Sequence, residues 1–488
     1  MAQELKERAV KGVTWNLMER FGVQGMTFIL GIILARLLTP KDYGLIGMIT
    51  VFFAIADVFI KSGFGQAYVQ KKEADHLDAT TIFYTNLAIS VLLYILLWFT
   101  APAISRFYEQ PALVELTRVM GVIIIFHAFN VVQQAFILRE LDFKRKTKVT
   151  VLATVLSGVA GISAAFGGLG VWSLVIKHLA NALILTTGLW ITSSWKPTLQ
   201  FSVRSFRQMF SFGAWILGSN IFKKVSDNIY KLMIGKFFPV AQLGFYSRAK
   251  DFQIITSQNM TMAVSSVAFP VFSQMQDNAP RMQQAMRRFL THTLIIIMPL
   301  MITLAVLAEP FVILLLTEKW APMIPYLQLL CIVGALYPIL SVNIQMLYAK
   351  GKSRLNFNLS LVKNALRILN IALIYRHGVI YIIYGEVVIS FVSLFMHTFF
   401  SKRLIDYGLL KQFRDIGIIA GGALAAGLLA FGVIMLTDNY WLMLFGGGLM
   451  SAGAYAGIQY LFNRRLFLDV LSLKDYFLKN GHGGHLDT

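Results

Sequence analysis

Ala35-Arg-Leu-Leu-Thr-Pro-Lys-Asp-Tyr-Gly44 and Gly235-Lys-Phe-Phe-Pro-Val-Ala-Gln-Leu-Gly244 lie 200 residues apart and align without a gap. Ala35-Arg36 falls on Gly235-Lys236, Leu37-Leu38 on Phe237-Phe238, Gly44 on Gly244 and Leu45 on Phe245. Upstream, Trp15 falls on Trp215. Apolar segments align with one another easily, but paired Trp and Gly in one ungapped register are less easily met by chance. Further along, Gly170-Val171 meets Gly378-Val379 at an offset of 208, so a short insertion that includes Phe311–Trp320 absorbs the difference. This pattern predicts a chain built from two copies of one unit.

The unit itself is read from hydropathy. The 488 residues are 57% hydrophobic and 14% charged, with mean hydropathy +0.64. A soluble domain carries about 25% charged residues, so lipid is the expected solvent. Apolar runs of about 20 residues, enough for a hydrocarbon core of about 30 Å, recur near 13–36, 44–66, 80–104, 114–138, 149–166 and 171–192. A second set lies near 209–236, 244–272, 289–308, 323–348, 356–375 and 379–400, and two more near 416–436 and 441–461. The runs at 209–236 and 244–272 are the weakest because both carry several charges. The predicted fold is all-α and polytopic, with fourteen transmembrane helices in two parallel six-helix repeats plus two C-terminal helices. The corresponding divisions are 1–200, 201–403, 404–463 and a cytoplasmic tail, 464–488.

The net charge of +20 is distributed as membrane topology requires. With the N-terminus inside, 27 of the 44 Lys and Arg fall on the cytoplasmic side, among them Lys144-Arg-Lys146, Arg287-Arg288, Lys402-Arg403 and Arg464-Arg465. The opposite loops hold six: Arg36, Lys41, Arg106, Lys236, Lys319 and Arg376. The positive-inside rule then puts both termini in the cytoplasm and requires an even number of spans. No continuous basic stripe or stacking platform points to nucleic acid. Glu19 and Arg20 interrupt the first apolar run, so it reads as a retained helix and not a cleaved signal. Cys331 is the single cysteine, which excludes an intrachain disulfide and a cysteine metal cluster. No metal and no cofactor are expected.

The remaining 11 cations lie within or at the edges of the spans, against five acids, Glu19, Asp57, Asp227, Asp251 and Glu386. A charge at mid-bilayer costs about 2.5–3.5 kcal/mol on the insertion scale, so these side chains must meet water, a partner or an interface. Helical spacing gathers them. Asn220, Lys224, Asp227 and Lys231 share one face, as do Asn356, Ser360, Lys363, Arg367 and Asn370, and Arg20, Gln24 and Thr27 at the repeat-equivalent positions of the first span. Two parallel repeats of even span number enclose a mid-membrane site between them, and the excess of cations gives that cavity a positive sign suited to phosphate. Arg20, Lys224, Lys231, Arg248, Lys363 and Arg367 are the candidate substrate-binding residues. Asp57, Asp227, Asp251 and Glu386 are candidates for ion coupling. The close pairs Lys224/Asp227, Asp57/Lys61 and Arg248/Asp251 equally suit simple neutralisation. His127 and His178 have no second ligand at i+3 or i+4 and read as structural. Lys177 and Arg118 read as interfacial.

Further motifs are Gly63-Phe-Gly-Gln-Ala67 with Gln70-Lys-Lys-Glu73, Leu138-Arg-Glu-Leu-Asp-Phe-Lys-Arg145, Gly170-Val-Trp-Ser-Leu174, Ser194-Trp-Lys-Pro197, Leu243-Gly-Phe-Tyr-Ser-Arg-Ala249, Phe269-Pro270 and Glu318-Lys-Trp320. In these and in Ala35–Gly44 the chain resembles the polysaccharide-exporting branch of the multidrug/oligosaccharidyl-lipid/polysaccharide flippase superfamily, and most of all its colanic-acid type of Wzx flippase. The resemblance covers about residues 1–400. It implies two six-helix lobes in the bacterial inner membrane and alternating access for an undecaprenyl-diphosphate-linked oligosaccharide. It also implies a place beside polysaccharide polymerase and chain-length proteins. It carries no catalytic motif, and no enzyme activity is expected. Where Lys231 stands in the second half the first has Gly31, so the positive charge is not symmetric.

Three other readings are open to test. A multidrug or organic-cation antiporter of the same superfamily would present acids and aromatics to its cargo, the reverse of the balance here. A membrane polymerase or ligase needs a large external catalytic loop, whereas the longest here, Glu309–Pro325, is apolar and reads as a lateral helix. A scaffold role leaves polar stripes inside the bilayer without a purpose. After the last span, Leu466–Leu478 reads as a short amphipathic surface helix, and Gly481–Thr488 as disordered.

Overall fold

The computed structural model describes residues 22–469, except 62–64, 66, 67, 69, 70, 72, 73 and 141. Every regular element among them is a helix. The helices are α1 (Gly22–Leu37), α2 (Pro40–Lys61), α3 (His76–Tyr108), α4 (Leu113–Glu140), α5 (Phe143–Phe166), α6 (Val171–Thr192) and α7 (Val203–Phe237). Next comes α8, in which a π-helical turn, Ile254–Gln258, joins Val240–Gln253 to Asn259–Gln274. Then follow α9 (Ala279–Val306), α10 (Ile324–Ala349), α11 (Ser353–Ile374), α12 (Val379–Ile405), α13 (Leu409–Leu436) and α14, a π-turn at Leu442–Gly446 continued by Gly447–Phe462. Among the described residues, each of these helices overlaps an apolar run of the sequence. Between α9 and α10, a nine-residue helix, Ala308–Leu316, and a 3-10 turn, Glu318–Met323, occupy the stretch read as an insertion. At about 1.5 Å per residue this helix is too short to cross a bilayer.

Among the described residues, ten helices, α2–α6 and α9–α13, are long and apolar enough to span a membrane. Their surfaces are inverted relative to a soluble protein. On α3, Thr80, Thr81, Asn86 and Ser90 are fully buried or nearly so, while Leu92 and Phe99 are 66% and 75% exposed. On α13 the buried stripe is Gly422, Ala423, Ala426, Gly427 and Ala430, and Leu428 and Leu436 point outward. Small residues inside and large apolar ones outside are the pattern of helices that pack in lipid, where close backbone approach and buried polar contacts replace the hydrophobic drive. The chain is a multi-pass membrane protein.

Local chemistry fixes the helix ends. Asp75 and Asp78 form a reciprocal capping box at the start of α3, and Asp142, Ser202 and Asn278 cap α5, α7 and α9. Thr39 and Asp42 bond each other's backbone and side chain at the start of α2. Gly170 and Gly378, aligned at the 208-residue offset, are the N-caps of α6 and α12, and both have positive φ, 52° and 115°. That conformation is open to glycine and strained for other residues, which gives the matched glycines a backbone reason.

The chain divides into two compact units, Met1–Gly244 and Phe245–Thr488. In the first, α5 packs on α6, α3 on α4, α4 on α6, and α2 on both α4 and α7. Gly235 of α7 packs against Tyr108 and Met48, and Lys236 bonds Glu109 at 3.0 Å while lying over the Phe107 ring. In the second unit α9 packs on α10 and α13, α12 on α10 and α11, and α13 on α14 around a core that includes Met286, Leu290, Leu294, Met346 and Ile419. A buried amide network crosses this core. Asn343 of α10 and Gln412 of α13 exchange hydrogen bonds at 3.0 and 3.1 Å, and Ser401 of α12 donates to Asn343 at 2.5 Å. Beside it, Tyr407 donates to Asp415 at 2.9 Å, and Asp415 pairs with Arg287 at 3.0 Å. Burial and the neighbouring Asp415 carboxylate hold the Tyr407 hydroxyl well above its ordinary pKa, so it stays a donor.

Candidate functional site

Lys250, Lys363 and Arg367 of the second unit gather near Glu386. Gly385 allows the convergence: a Cβ there would overlap the Asn370 side chain, so its absence lets α11 lie directly on α12. Asn370 fixes the contact by donating to the Ile382 carbonyl at 3.0 Å. One residue beyond Gly385, the Glu386 side chain is 4% exposed. Lys250 of α8 donates to its Oε1 at 2.9 Å, and the Tyr246 hydroxyl donates to its Oε2 at 3.3 Å. Tyr246 and Lys250 stand at i and i+4 and therefore reach the carboxylate from one helix face. Arg367 and Lys363 of α11 lie within electrostatic reach of the same carboxylate. Lys363 also acts on buried His397, whose Nδ1 is 2.7 Å from the Ser393 carbonyl.

On another face of α8, Arg248 is 8% exposed, pairs with Asp251 at 3.6 Å and lies over the Phe252 ring. Among the described residues, Lys250, Lys363 and Arg367 thus stand near one acid, Glu386, an excess of two positive charges, while Arg248 and Asp251 pair with each other. Such an arrangement can hold a dianion. An Arg or Lys partner to phosphate is a charge-assisted bond, stronger than a neutral one.

The first unit holds a different arrangement. Asp57 of α2 and His127 of α4 are 2.8 Å apart, both partly exposed. Spacing pairs Asp57 with Lys61, whose side chain lies outside the described residues, and gives His127 a structural role. The fold brings in a partner 70 residues away that no local spacing could reveal. On α7, Lys224 and Asp227 are exposed and Lys231 half-buried. Among the described residues no ion pair joins Lys224 to Asp227, so the i,i+3 spacing that suggested mutual neutralisation does not produce it. Arg20 lies outside the described residues. Tyr246 was not singled out from sequence, although its spacing to Lys250 was available. Lys250, one of the 11 cations within or at the edges of the spans, has no place in the site on sequence spacing alone. Among the described residues, no group of three or more His, Cys, Asp or Glu is placed to hold a metal ion.

Trp320 of the Glu318-Lys-Trp320 motif is fully buried, with its ring 6.0 Å from that of Phe245. That motif therefore braces the fold. Residues 33–325, more than half of the chain, match the pattern of the polysaccharide biosynthesis protein family. The chain belongs to that family.

Curated relatives of this family member include the teichuronic acid biosynthesis protein TuaB of Bacillus subtilis (strain 168), 25% identical over 447 residues, with 89% of this chain and 91% of the relative covered. The lipopolysaccharide biosynthesis protein WzxC of Escherichia coli (strain K12) is 25% identical, covering 74% of each chain. The succinoglycan biosynthesis transport protein ExoT of Rhizobium meliloti (strain 1021) is 26% identical over 72% of each. Among solved structures, the fold is similar to the lipid II flippase MurJ in an inward closed conformation, with TM-score 0.76, 14% identity, and 94% of this chain and 99% of that one covered. It is also similar to an inward-facing multidrug resistance MATE family transporter of the MOP superfamily, with TM-score 0.63, 17% identity, and 80% and 98% covered. At these identities the two structures speak to the fold.

Proposed function

We propose that this chain flips an undecaprenyl-diphosphate-linked oligosaccharide across the bacterial inner membrane for surface-polysaccharide assembly, exposing its cargo site to each side in turn. The observation that supports the reading is the positive excess around Glu386, with Lys250, Lys363 and Arg367 against one acid, because the diphosphate is the charged part of such a cargo and needs cationic partners away from water. The relatives support it: they are biosynthesis and transport proteins of different polysaccharides, and the structurally similar MurJ is a lipid II flippase. The residues assigned to the diphosphate are Arg248, Lys363 and Arg367, with Lys250 beside them. Lys224, Lys231 and Arg20 are assigned to the cargo's path in the first half, and Asp57, Asp227, Asp251 and Glu386 to charge compensation or ion coupling.

The finer architecture belongs to the same proposal: fourteen spans, two six-helix repeats at 1–200 and 201–403, two further helices at 404–463, and both termini in the cytoplasm. The matched N-cap glycines Gly170 and Gly378 support the repeat. The chain acts as a transporter without catalysis, next to the polymerase and chain-length proteins that receive the flipped unit. The organic-cation antiporter is disfavoured by the sign of the same cluster. A deletion strain complemented with this gene tests the function. Without it, lipid-linked repeat units accumulate and surface polysaccharide is lost, and complementation reverses both. Normal polysaccharide in the deletion strain, with no intermediate accumulating, refutes the reading.

A further inference from the structure

Resting on the reading of the second-unit cluster as a diphosphate site, we propose that Glu386 is a resident substitute for the cargo's phosphate: it occupies Lys250 in the empty transporter and surrenders it to a phosphate oxygen on binding. Affinity is then set by an exchange of one anion for another.

The geometry makes this more than a buried ion pair. Glu386 is 3% exposed and Lys250 is 15% exposed in its side chain. A lysine so placed cannot be left charged and alone, because breaking a buried pair leaves an uncompensated charge and is strongly destabilising. The empty site therefore needs an internal anion, and Glu386 supplies it at 2.9 Å. Its second oxygen is held by a single hydroxyl, Tyr246, at 3.3 Å. The carboxylate is thus gripped by one charged and one long neutral bond, both from α8, within electrostatic reach of Arg367 and Lys363 of α11. When a phosphate oxygen takes Lys250, Glu386 turns to the field of these two cations, so neither anion is left uncompensated. Gly385 and Asn370 keep α11 and α12 in register throughout.

The consequence is functional. A site with free cations would bind a diphosphate tightly and release it slowly. An exchange lowers net affinity, because the broken Lys250–Glu386 pair is subtracted from the new contact, and it restores the pair on release. A flippase needs that reversibility more than it needs tight binding.

The test measures binding of undecaprenyl diphosphate, in detergent, to the purified full-length protein. Glu386→Gln is expected to bind at least ten-fold more tightly than the parent and to export polysaccharide more slowly in cells. Tyr246→Phe, which keeps every charge, is expected to bind a few-fold more tightly, and it covers the case in which Glu386→Gln fails to fold. Adding Lys250→Met to Glu386→Gln is expected to abolish the gain. Equal or weaker binding by folded Glu386→Gln, or by Tyr246→Phe, overturns the exchange and leaves the pair as a structural brace. If the parent protein itself binds no undecaprenyl diphosphate, the diphosphate reading and the exchange fall together. Binding by the parent without the gain removes only the exchange.

Discussion

The side of Gly44 that lacks a Cβ rests on the backbone carbonyl of Val240. Two hundred residues on, Gly244 rests in the same way on the carbonyl of Pro40. The two contacts are mirror partners: each glycine at the start of one helix receives the first turn of the other. They join the beginnings of α2 and α8, the segments that align without a gap in the sequence. A methyl group at either glycine would overlap backbone, which cannot turn away as a side chain can.

Alanine at these two positions should therefore be costly in a correlated way. Gly44→Ala and Gly244→Ala are each expected to destabilise by about 1–3 kcal/mol, the range for overpacking a close contact. The double variant is expected to lose less than the sum, because either methyl alone already separates the two helix starts. Thermal unfolding of the purified protein in detergent measures this. Gly453→Ala, where a Cβ meets nothing within 4 Å, is the control. Full additivity of the two losses would show that the contacts are independent.

Replacing Lys363 and Arg367 together with alanine is expected to abolish polysaccharide export while the protein level stays normal. The two residues sit on one face of α11 and both act on Glu386, so their loss removes two of the four cations assigned to the diphosphate. Export is read as surface polysaccharide, and abundance by immunoblot of the membrane fraction. Unchanged export would remove these residues from the cargo site.

The amide network in the second unit predicts a stability defect without a cargo defect. Asn343→Ala leaves the Gln412 Oε1 buried without its donor, while Gln412 Nε2 keeps the Tyr407 carbonyl, and it takes one of two acceptors from Ser401. An unsatisfied buried polar group costs about 1–3 kcal/mol. Asn343→Ala is expected to lower the unfolding temperature, with undecaprenyl diphosphate binding within two-fold of the parent, about the precision of such a titration. A normal unfolding temperature would show that water or a rearranged side chain replaces the amide.

The fold was largely legible because lipid imposes a coarse rule. Apolar runs of spanning length became helices wherever the hydropathy was strong, and the charged runs at 209–236 and 244–272 became α7 and α8. Gly44, Gly244, Gly170 and Gly378 were visible as matches, and the structure supplies their reasons: two close approaches and two positive-φ caps. The site was legible only along single helices. Lys363 with Arg367, and Arg248 with Asp251, follow from helical spacing. Glu386 with Lys250 does not, since 136 residues separate them. Nor does a spacing rule say which near pair forms: Arg248 and Asp251 meet, while Lys224 and Asp227, equally spaced, do not.

That last contrast can be tested by charge reversal. Had Lys224 and Asp227 neutralised each other, the double exchange Lys224→Asp with Asp227→Lys would restore what each single reversal loses. Both side chains are exposed, and among the described residues no ion pair joins them, so the double exchange is expected to be as defective as the worse single variant. The first unit offers the opposite case in Asp57 and His127, which are 2.8 Å apart. Residues acting as one unit show non-additive losses. Asp57→Asn and His127→Gln are therefore expected to reduce export to a similar level, with the double variant no worse than either. Export in the six strains decides both points. Rescue by the Lys224/Asp227 exchange would give that pair a structural role. Additive losses at Asp57 and His127 would separate two residues that the fold has brought together.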